Sequence, residues 1–247
     1  MKMKTTQTWK IDKRGALYLL PEIPDKSIDL IMTDLPYNMT NCTWDSPIDL
    51  KKLWVQYKRI IKDNGAIIFT AKQPFTSALV MSNPDMFRYE WIWEKTNATG
   101  HLNANIMPMQ AHENILVFYK KRPKYNPQKT IGHKPMNTYT KTLETQNRSS
   151  VYGECKTELS GGGNTKRYPR SVILFPKDIQ TSSIHDTQKP VALYEYLIRT
   201  YSDEGDWVHD SCIGSGTTLR ACEKTNRNCI GFEISNEWEK HYTGMSK

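Results

Sequence analysis

Short apolar runs recur along this chain, and most are set apart by stretches with helical spacing. Ile28–Met32, Ala66–Thr70, Tyr89–Trp93, Ile115–Tyr119, Trp207–His209 and Cys229–Phe232 each read as a buried strand. Leu50, Leu53, Trp54, Tyr57, Ile60 and Ile61 recur at three- and four-residue intervals, as do Val191, Tyr194, Leu197, Ile198 and Tyr201. That spacing predicts helices over 48–62, 74–82 and onward from Pro190, with Gly65 as the C-cap of the first. A last helix is expected over 236–242. Strands alternating with helices predict an α/β fold on a parallel or mostly parallel sheet. In such sheets ligands bind outside the carboxyl ends of the strands. The residues that follow each strand therefore carry most of the functional information.

The strand Ile28–Met32 ends in Thr33-Asp34-Leu35-Pro36-Tyr37-Asn38. An acid with no cation beside it in sequence can accept hydrogen bonds from an amino group. An aromatic three residues on offers a stacking face, and proline stiffens the turn between them. The set suits a planar, amino-bearing ring such as a nucleobase. The polar loop that follows, Asn38 to Pro47, carries Trp44 and is expected to close over substrate and touch it.

A second constellation follows the strand Trp207–His209: Asp210-Ser211-Cys212-Ile213-Gly214-Ser215-Gly216-Thr217-Thr218, then a helix, then a strand that ends in Glu233. Gly214 and Gly216 permit a tight turn and close backbone approach. The helix start offers N–H groups to a carboxylate, and Glu233 can accept both hydroxyls of a ribose. A dinucleotide site would want a third glycine where Leu219 stands, and Asp210 would sit badly beside a pyrophosphate. S-adenosylmethionine, with a carboxylate, an ammonium for Asp210 and a ribose, fits better. Ile213, Ser215, Thr217 and Thr218 complete the expected cofactor loop.

Charge locates the partner. The net charge of +8 is carried by one segment, since Tyr119 to Lys177 holds 13 Lys or Arg against 3 Asp or Glu. From Tyr125 to about Ser183 the strand–helix rhythm also lapses, and basic residues interleave with Tyr125, Tyr139, Tyr152, Tyr168 and Phe175. Such a segment is the footprint of a phosphate-binding surface. Lys166, Arg167 and Arg170, next to Gly161-Gly162-Gly163, are its expected nucleic-acid contacts. No apolar run approaches about 18 residues, so no membrane span is expected, and the N-terminal residues lack a signal-peptide core. Cys42, Cys155, Cys212, Cys222 and Cys229 are scattered, which argues for reduced thiols in a cytoplasm and against zinc or a disulfide framework. No metal is expected.

Asp34-Leu35-Pro36-Tyr37 resembles the Asp-Pro-Pro-Tyr signature of DNA amino-methyltransferases, and His185-Asp186-Thr187-Gln188-Lys189-Pro190 resembles their His-Pro-Thr-Gln-Lys-Pro element. Glu90–Lys95 and His112–Ile115 look like their central strands. With the catalytic signature first, the basic region next and the cofactor half last, the chain resembles the circularly permuted β group of adenine-N6 and cytosine-N4 enzymes. The resemblance implies a Rossmann-like sheet of seven strands, the last antiparallel, with helices on both faces. It implies a catalytic half over 1–124, an inserted recognition region over 125–183 and a cofactor half over 184–247. Thr187, Gln188 and Lys189 would line the methionine end of the cofactor pocket, and the Leu35 carbonyl would share the target amine with Asp34. Double-stranded DNA is the implied substrate, in a prokaryote or phage; a homodimer and a partner nuclease remain open.

The chain departs from that pattern at three places. Leu35 stands for a proline, Ser211-Cys212 for Pro-Phe, and Gly15 for an entry acid that helps hold the cofactor. An initial Asp rather than Ser points to adenine-N6 over cytosine-N4. Methylation of protein glutamine or RNA, and a DNA-binding module without activity, are the rival readings.

Overall fold

The computed structural model describes residues 5–36, 48–136, 139–142, 158–176 and 188–242. In chain order the elements are β1 (Gln7–Ile11), α1 (Ala16–Leu19), β2 (Ile28–Thr33), α2 (Leu50–Ile60), β3 (Ile61–Ala71), α3 (Phe75–Ser82), β4 (Phe87–Thr99) and β5 (Gln110–Phe118). They continue with β6 (Tyr139–Thr142), β7 (Glu158–Gly161), β8 (Val172–Phe175), α4 (Val191–Tyr201), β9 (Trp207–Asp210), α5 (Thr217–Thr225) and β10 (Asn228–Glu233). A 3-10 turn, Asn236–His241, stands where the last helix was expected.

Eight strands form the main sheet in the order β1-β10-β9-β2-β3-β5-β4-β8. The resemblance implied seven with the last reversed. The described sheet has one strand more, with β1 and β8 as short parallel edge strands, and its single reversed strand is β5, antiparallel to both β3 and β4. The connection 100–109 between β4 and β5 is too short for a crossover helix, so the chain must double back there. β6 and β7 pair apart from this sheet.

Apolar residues alternate between the two faces of the sheet. Leu30, Met32, Ala66 and Ile68 pack with α4 and α5 residues such as Leu193, Leu197, Leu219 and Cys222. Ile31, Ile67 and Phe69 pack on the other face with Leu53, Trp54, Tyr57 and Leu79 of α2 and α3. Helices on both faces explain why the central strands are nearly continuous apolar runs. Asp49 caps α2, accepting from Lys52 N at 3.2 Å.

Gly65 is not the cap of that helix. Ile61 takes the C-cap position in an extended conformation, and the chain runs straight into β3. The β2–β3 register jumps from Ile28↔Ile61 to Leu30↔Ala66, and a Cβ on Gly65 would lie 2.7 Å from Asp29 O. Glycine is needed there for close backbone approach within a sheet.

The chain divides into a large unit, 1–126 with 171–247, and a small one, Pro127–Arg170. Tyr125, Asn126 and β8 lie with the large unit. Asn126 N donates to Thr200 O at 2.7 Å and its side-chain amide to Asp203 Oδ1 at 2.9 Å. On return, Ser171 O accepts from Ile92 N at 2.8 Å. Both junctions are thus pinned to the large unit.

Candidate active site

From β2 the chain moves outward to β3, and from β9 it moves outward to β10. β2 and β9 are neighbours, with Leu30 opposite Val208 and Ile31 opposite His209. The gap between their carboxyl ends is therefore the topological switch point, where open α/β sheets bind ligands. Asp34 follows β2 there and Asp210 ends β9.

Asp34 is held at both oxygens. Oδ1 accepts from Thr70 Oγ1 at 2.5 Å, and Oδ2 takes a short charge-assisted bond from Lys189 Nζ. Lys189 also lies 3.6 Å from Glu113 Oε2, and Glu113 Oε1 is 2.7 Å from Lys95 Nζ and 3.3 Å from Lys72 Nζ. Burial alone would raise the Glu113 carboxyl, but Lys189, Lys95 and Lys72 together hold it down to about 2. Burial likewise disfavours the Lys189 charge, and Asp34 and Glu113 outweigh it, raising its pKa. Nothing in the sequence singles out Lys95, Glu113 or Lys72 individually; their only signal is a set of charges at the ends of predicted buried strands.

Leu35 turns its side chain into the cluster around Ile31, Phe69 and Leu53 and is 2% exposed. Its side chain is spent on packing, which accounts for leucine where proline was expected. Pro36 is half-buried beside it. Tyr37, Trp44 and Thr187 lie outside the described residues.

The second loop is closed by its own carboxylates. Asp210 Oδ1 accepts from Cys212 N at 3.0 Å, and Oδ2 bonds Thr218 Oγ1. Burial pushes this carboxyl up to about 6, against the pull of those two donors. Glu233 Oε2 accepts from Gly214 N at 2.8 Å, and Oε1 from Ile234 N at 2.9 Å and Ser235 N at 3.1 Å. Burial raises its pKa as well. Gly216 takes φ +86 as N-cap of α5, and Gly214 takes φ +47 with open space where a Cβ would stand. Ile213 lies on Gly231, where a Cβ would come within 2.4 Å of it; Gly231 was not foreseen. Ser215 is buried, and Thr217 Oγ1 donates to Lys189 O at 3.3 Å, tying the Gln188–Lys189 segment to this loop.

Ser211 bridges His209 Nε2 at 2.9 Å and Tyr57 OH at 2.6 Å. The serine thus joins a buried polar chain beneath the loop. Burial holds the His209 imidazole neutral, with its pKa down to about 4. Gly15 has φ +80 at the start of α1, a backbone state an acid would adopt only with strain.

In the small unit, the Arg167 guanidinium donates to the carbonyls of Asn164, Lys166 and Lys134 at 2.7, 3.1 and 2.5 Å. Lys166 and Arg170 are exposed. Tyr168, also exposed, lies 4.1 Å below the Lys129 ammonium.

Two carboxylates at a switch point, one beside a glycine loop and one presented by a rigid turn, suit a nucleoside cofactor and an amine acceptor. A family model for DNA methylases, of the N6/N4 methyltransferase class, matches residues 28–243. The chain belongs to this DNA methylase family. Its members use S-adenosylmethionine and methylate adenine N6 or cytosine N4 in DNA, and this chain is such a methyltransferase. The type II methyltransferase M.HpaI of Haemophilus parainfluenzae is 29% identical over 237 residues, covering 91% of this chain and 69% of the relative. M1.MboII of Moraxella bovis is 26% identical over 250 residues, covering 93% of each. The crystal structure of the M1.HpyAVI–SAM complex superposes with a TM-score of 0.60 at 20% identity, covering 96% of both chains. Among the described residues no helix is long and apolar enough to cross a membrane, and no cluster of His, Cys, Asp and Glu could hold a metal ion.

Proposed function

We propose that this methylase acts on the N6 amino group of adenine in double-stranded DNA. The observation that carries this reading is the carboxylate of Asp34, fixed by Thr70 and Lys189 at the switch point beside the Asp210 loop. The exocyclic amine of adenine is a weak nucleophile because its lone pair is delocalised into the ring. The Asp34 carboxylate and the Leu35 carbonyl would each accept one N–H, favour a tetrahedral nitrogen and free that lone pair. The Asp34 carboxylate is also the acceptor for the proton that the methylated nitrogen must lose. Tyr37 would stack on the base, which is worth about 1–3 kcal/mol. A paired base cannot reach this position, so it must leave the duplex. Catalysis then rests on positioning and fixed charge.

The loop fits S-adenosylmethionine by its own chemistry. Asp210 is a buried carboxylate suited to an ammonium, and Glu233 stands at the tip of the next strand for a ribose diol. Gly214 leaves the space that a side chain would fill. Ile213, Ser215, Gly216, Thr217 and Thr218 would shape the pocket, with Thr187, Gln188 and Lys189 at its methionine end. The bound cofactor supplies an electrophilic methyl group on a sulfonium.

Residues 1–124 and 184–247 would form the two halves of the catalytic domain, and the region 125–183 would read DNA through Lys166, Arg167, Arg170 and, from the catalytic half, Trp44. The test is to incubate the protein with S-adenosylmethionine and unmethylated DNA, then digest to nucleosides and identify the product by mass spectrometry. N6-methyladenine is expected. N4-methylcytosine would overturn the choice of base.

A further inference from the structure

Around Asp34 the protein gathers three lysines and a second carboxylate. The side chains of Lys95, Glu113 and Lys189 are only 1%, 5% and 9% exposed, whereas Asp34 and Lys72 are 25% and 27% exposed. Charges this deeply buried carry a desolvation penalty of several kcal/mol each. A hydrophobic cluster would join β4 to β5 at less expense, so the stability of the sheet does not account for them.

Their order is informative. Lys95, on β4, holds one oxygen of Glu113, on β5. The other oxygen of Glu113 faces Lys189 at 3.6 Å and has no hydrogen-bond partner among the described residues. Lys189 in turn bonds Asp34. Glu113 reaches Asp34 through Lys189, so any influence on the reacting amine is exerted at second hand.

We propose that Glu113 is a positioning residue for methyl transfer: it steers the Lys189 ammonium onto Asp34 Oδ2 and so fixes the orientation of the carboxylate that meets the target amine. With Thr70 on Oδ1 and Lys189 on Oδ2, rotation of the carboxylate is blocked. Without the Glu113 charge, Lys189 has one counter-ion in place of two and is free to leave the line between them, and Asp34 loses a fixed partner. Lys95 sets the orientation of Glu113 in the same way. This inference rests on the reading of Asp34 as acceptor for the amine.

The test compares the single-turnover rate, DNA affinity and S-adenosylmethionine affinity of the wild type, Glu113→Gln, Glu113→Asp and Asp34→Asn. Misplacement of a reacting group by about 1 Å can lower a rate by roughly a hundredfold. Glu113→Gln should lower the single-turnover rate by about tenfold to a hundredfold, with both affinities within about threefold, and Glu113→Asp should recover part of the rate. If Glu113→Gln does not fold, Glu113→Gln with Lys95→Met keeps the net charge of the cluster and should show the same loss of rate. Folded Glu113→Gln, or its double variant with Lys95→Met, showing the wild-type rate or a rate that falls only in step with cofactor affinity overturns the proposal. If Asp34→Asn is inactive while Glu113→Gln is unimpaired, this inference alone fails. If Asp34→Asn keeps its turnover, the assignment of Asp34 fails and this inference fails with it.

Discussion

Cofactor affinity should collapse on acidification, and Asp210 should be the cause. Its carboxyl titrates at about 6 in the free protein because burial disfavours the charged form, the Thr218 hydroxyl and Cys212 N–H offsetting only part of that. The nearby Asp34 charge pushes in the same direction as burial. If Asp210 takes the cofactor ammonium, binding needs the ionised form. A group with a pKa of about 6 is roughly nine-tenths ionised at pH 7 and one-tenth at pH 5, so affinity should fall about tenfold across that interval. The cofactor's α-amino group stays protonated over the same range. The linkage to folding has the opposite sense. A carboxyl whose folded pKa lies above its unfolded value of 3.8 gives stability that is complete below about pH 4 and lost as pH rises through about 6. The free protein should therefore lose up to about 3 kcal/mol from this group over that window, at 1.36 kcal/mol per unit. Calorimetric titration with S-adenosylmethionine from pH 5 to pH 7 is the assay, with Asp210→Asn as control. Glu233 is also raised and would leave a residual slope in the control. A flat profile in the wild type, or an equal slope in Asp210→Asn, would refute the reasoning.

Asp34→Ala should abolish methyl transfer while S-adenosylmethionine affinity stays within a few-fold; turnover and calorimetry on one preparation check both. Gly231→Ala would press a methyl group against Ile213, 2.4 Å away, and should destabilise the protein by about 1–3 kcal/mol and weaken cofactor binding, read by thermal melting and titration. Replacing Lys166 and Arg170 with alanine should weaken DNA binding and flatten its dependence on log salt by roughly 0.9 per lost phosphate contact, measured at several salt concentrations. Arg167→Ala should lower the stability of the small unit, since its guanidinium holds three carbonyls there.

The central strands and the long helices were legible because they obey one periodicity each. Ile28–Met32 and one face of Val191–Tyr201 are buried for reasons the pattern itself contains. Gly65 misled because glycine after a helix usually caps it, while here it admits the backbone of a neighbouring strand that sequence cannot reveal. β1 was hidden because an edge strand buries little: Gln7 is its one fully buried side chain, and it is polar. The reversal at β5 follows from a loop length, not from any residue within the strand. In the site, Asp34 and Asp210 stood out because each ends an apolar run. The pairing of Asp34 with Lys189 did not, since the two are distant in sequence, and only the sheet brings Lys95 and Glu113 together. Ser211 stood only as a departure from proline, and the structure makes it a link between His209 and Tyr57.

The small unit leaves the large one after Asn126 and returns at Ser171, and both junctions are pinned by hydrogen bonds to frame residues. Asp34, Lys189, Asp210 and Glu233 all belong to the frame and none to the segment between those junctions. If that segment reads DNA, as proposed, it is a replaceable module under selection. Substitutions, insertions or an exchanged copy between the two junctions replace none of the four residues. On that reading such a chain can drift toward a new target sequence while its chemistry stays the same, and a lineage of these enzymes can diversify without repeatedly passing through inactive forms.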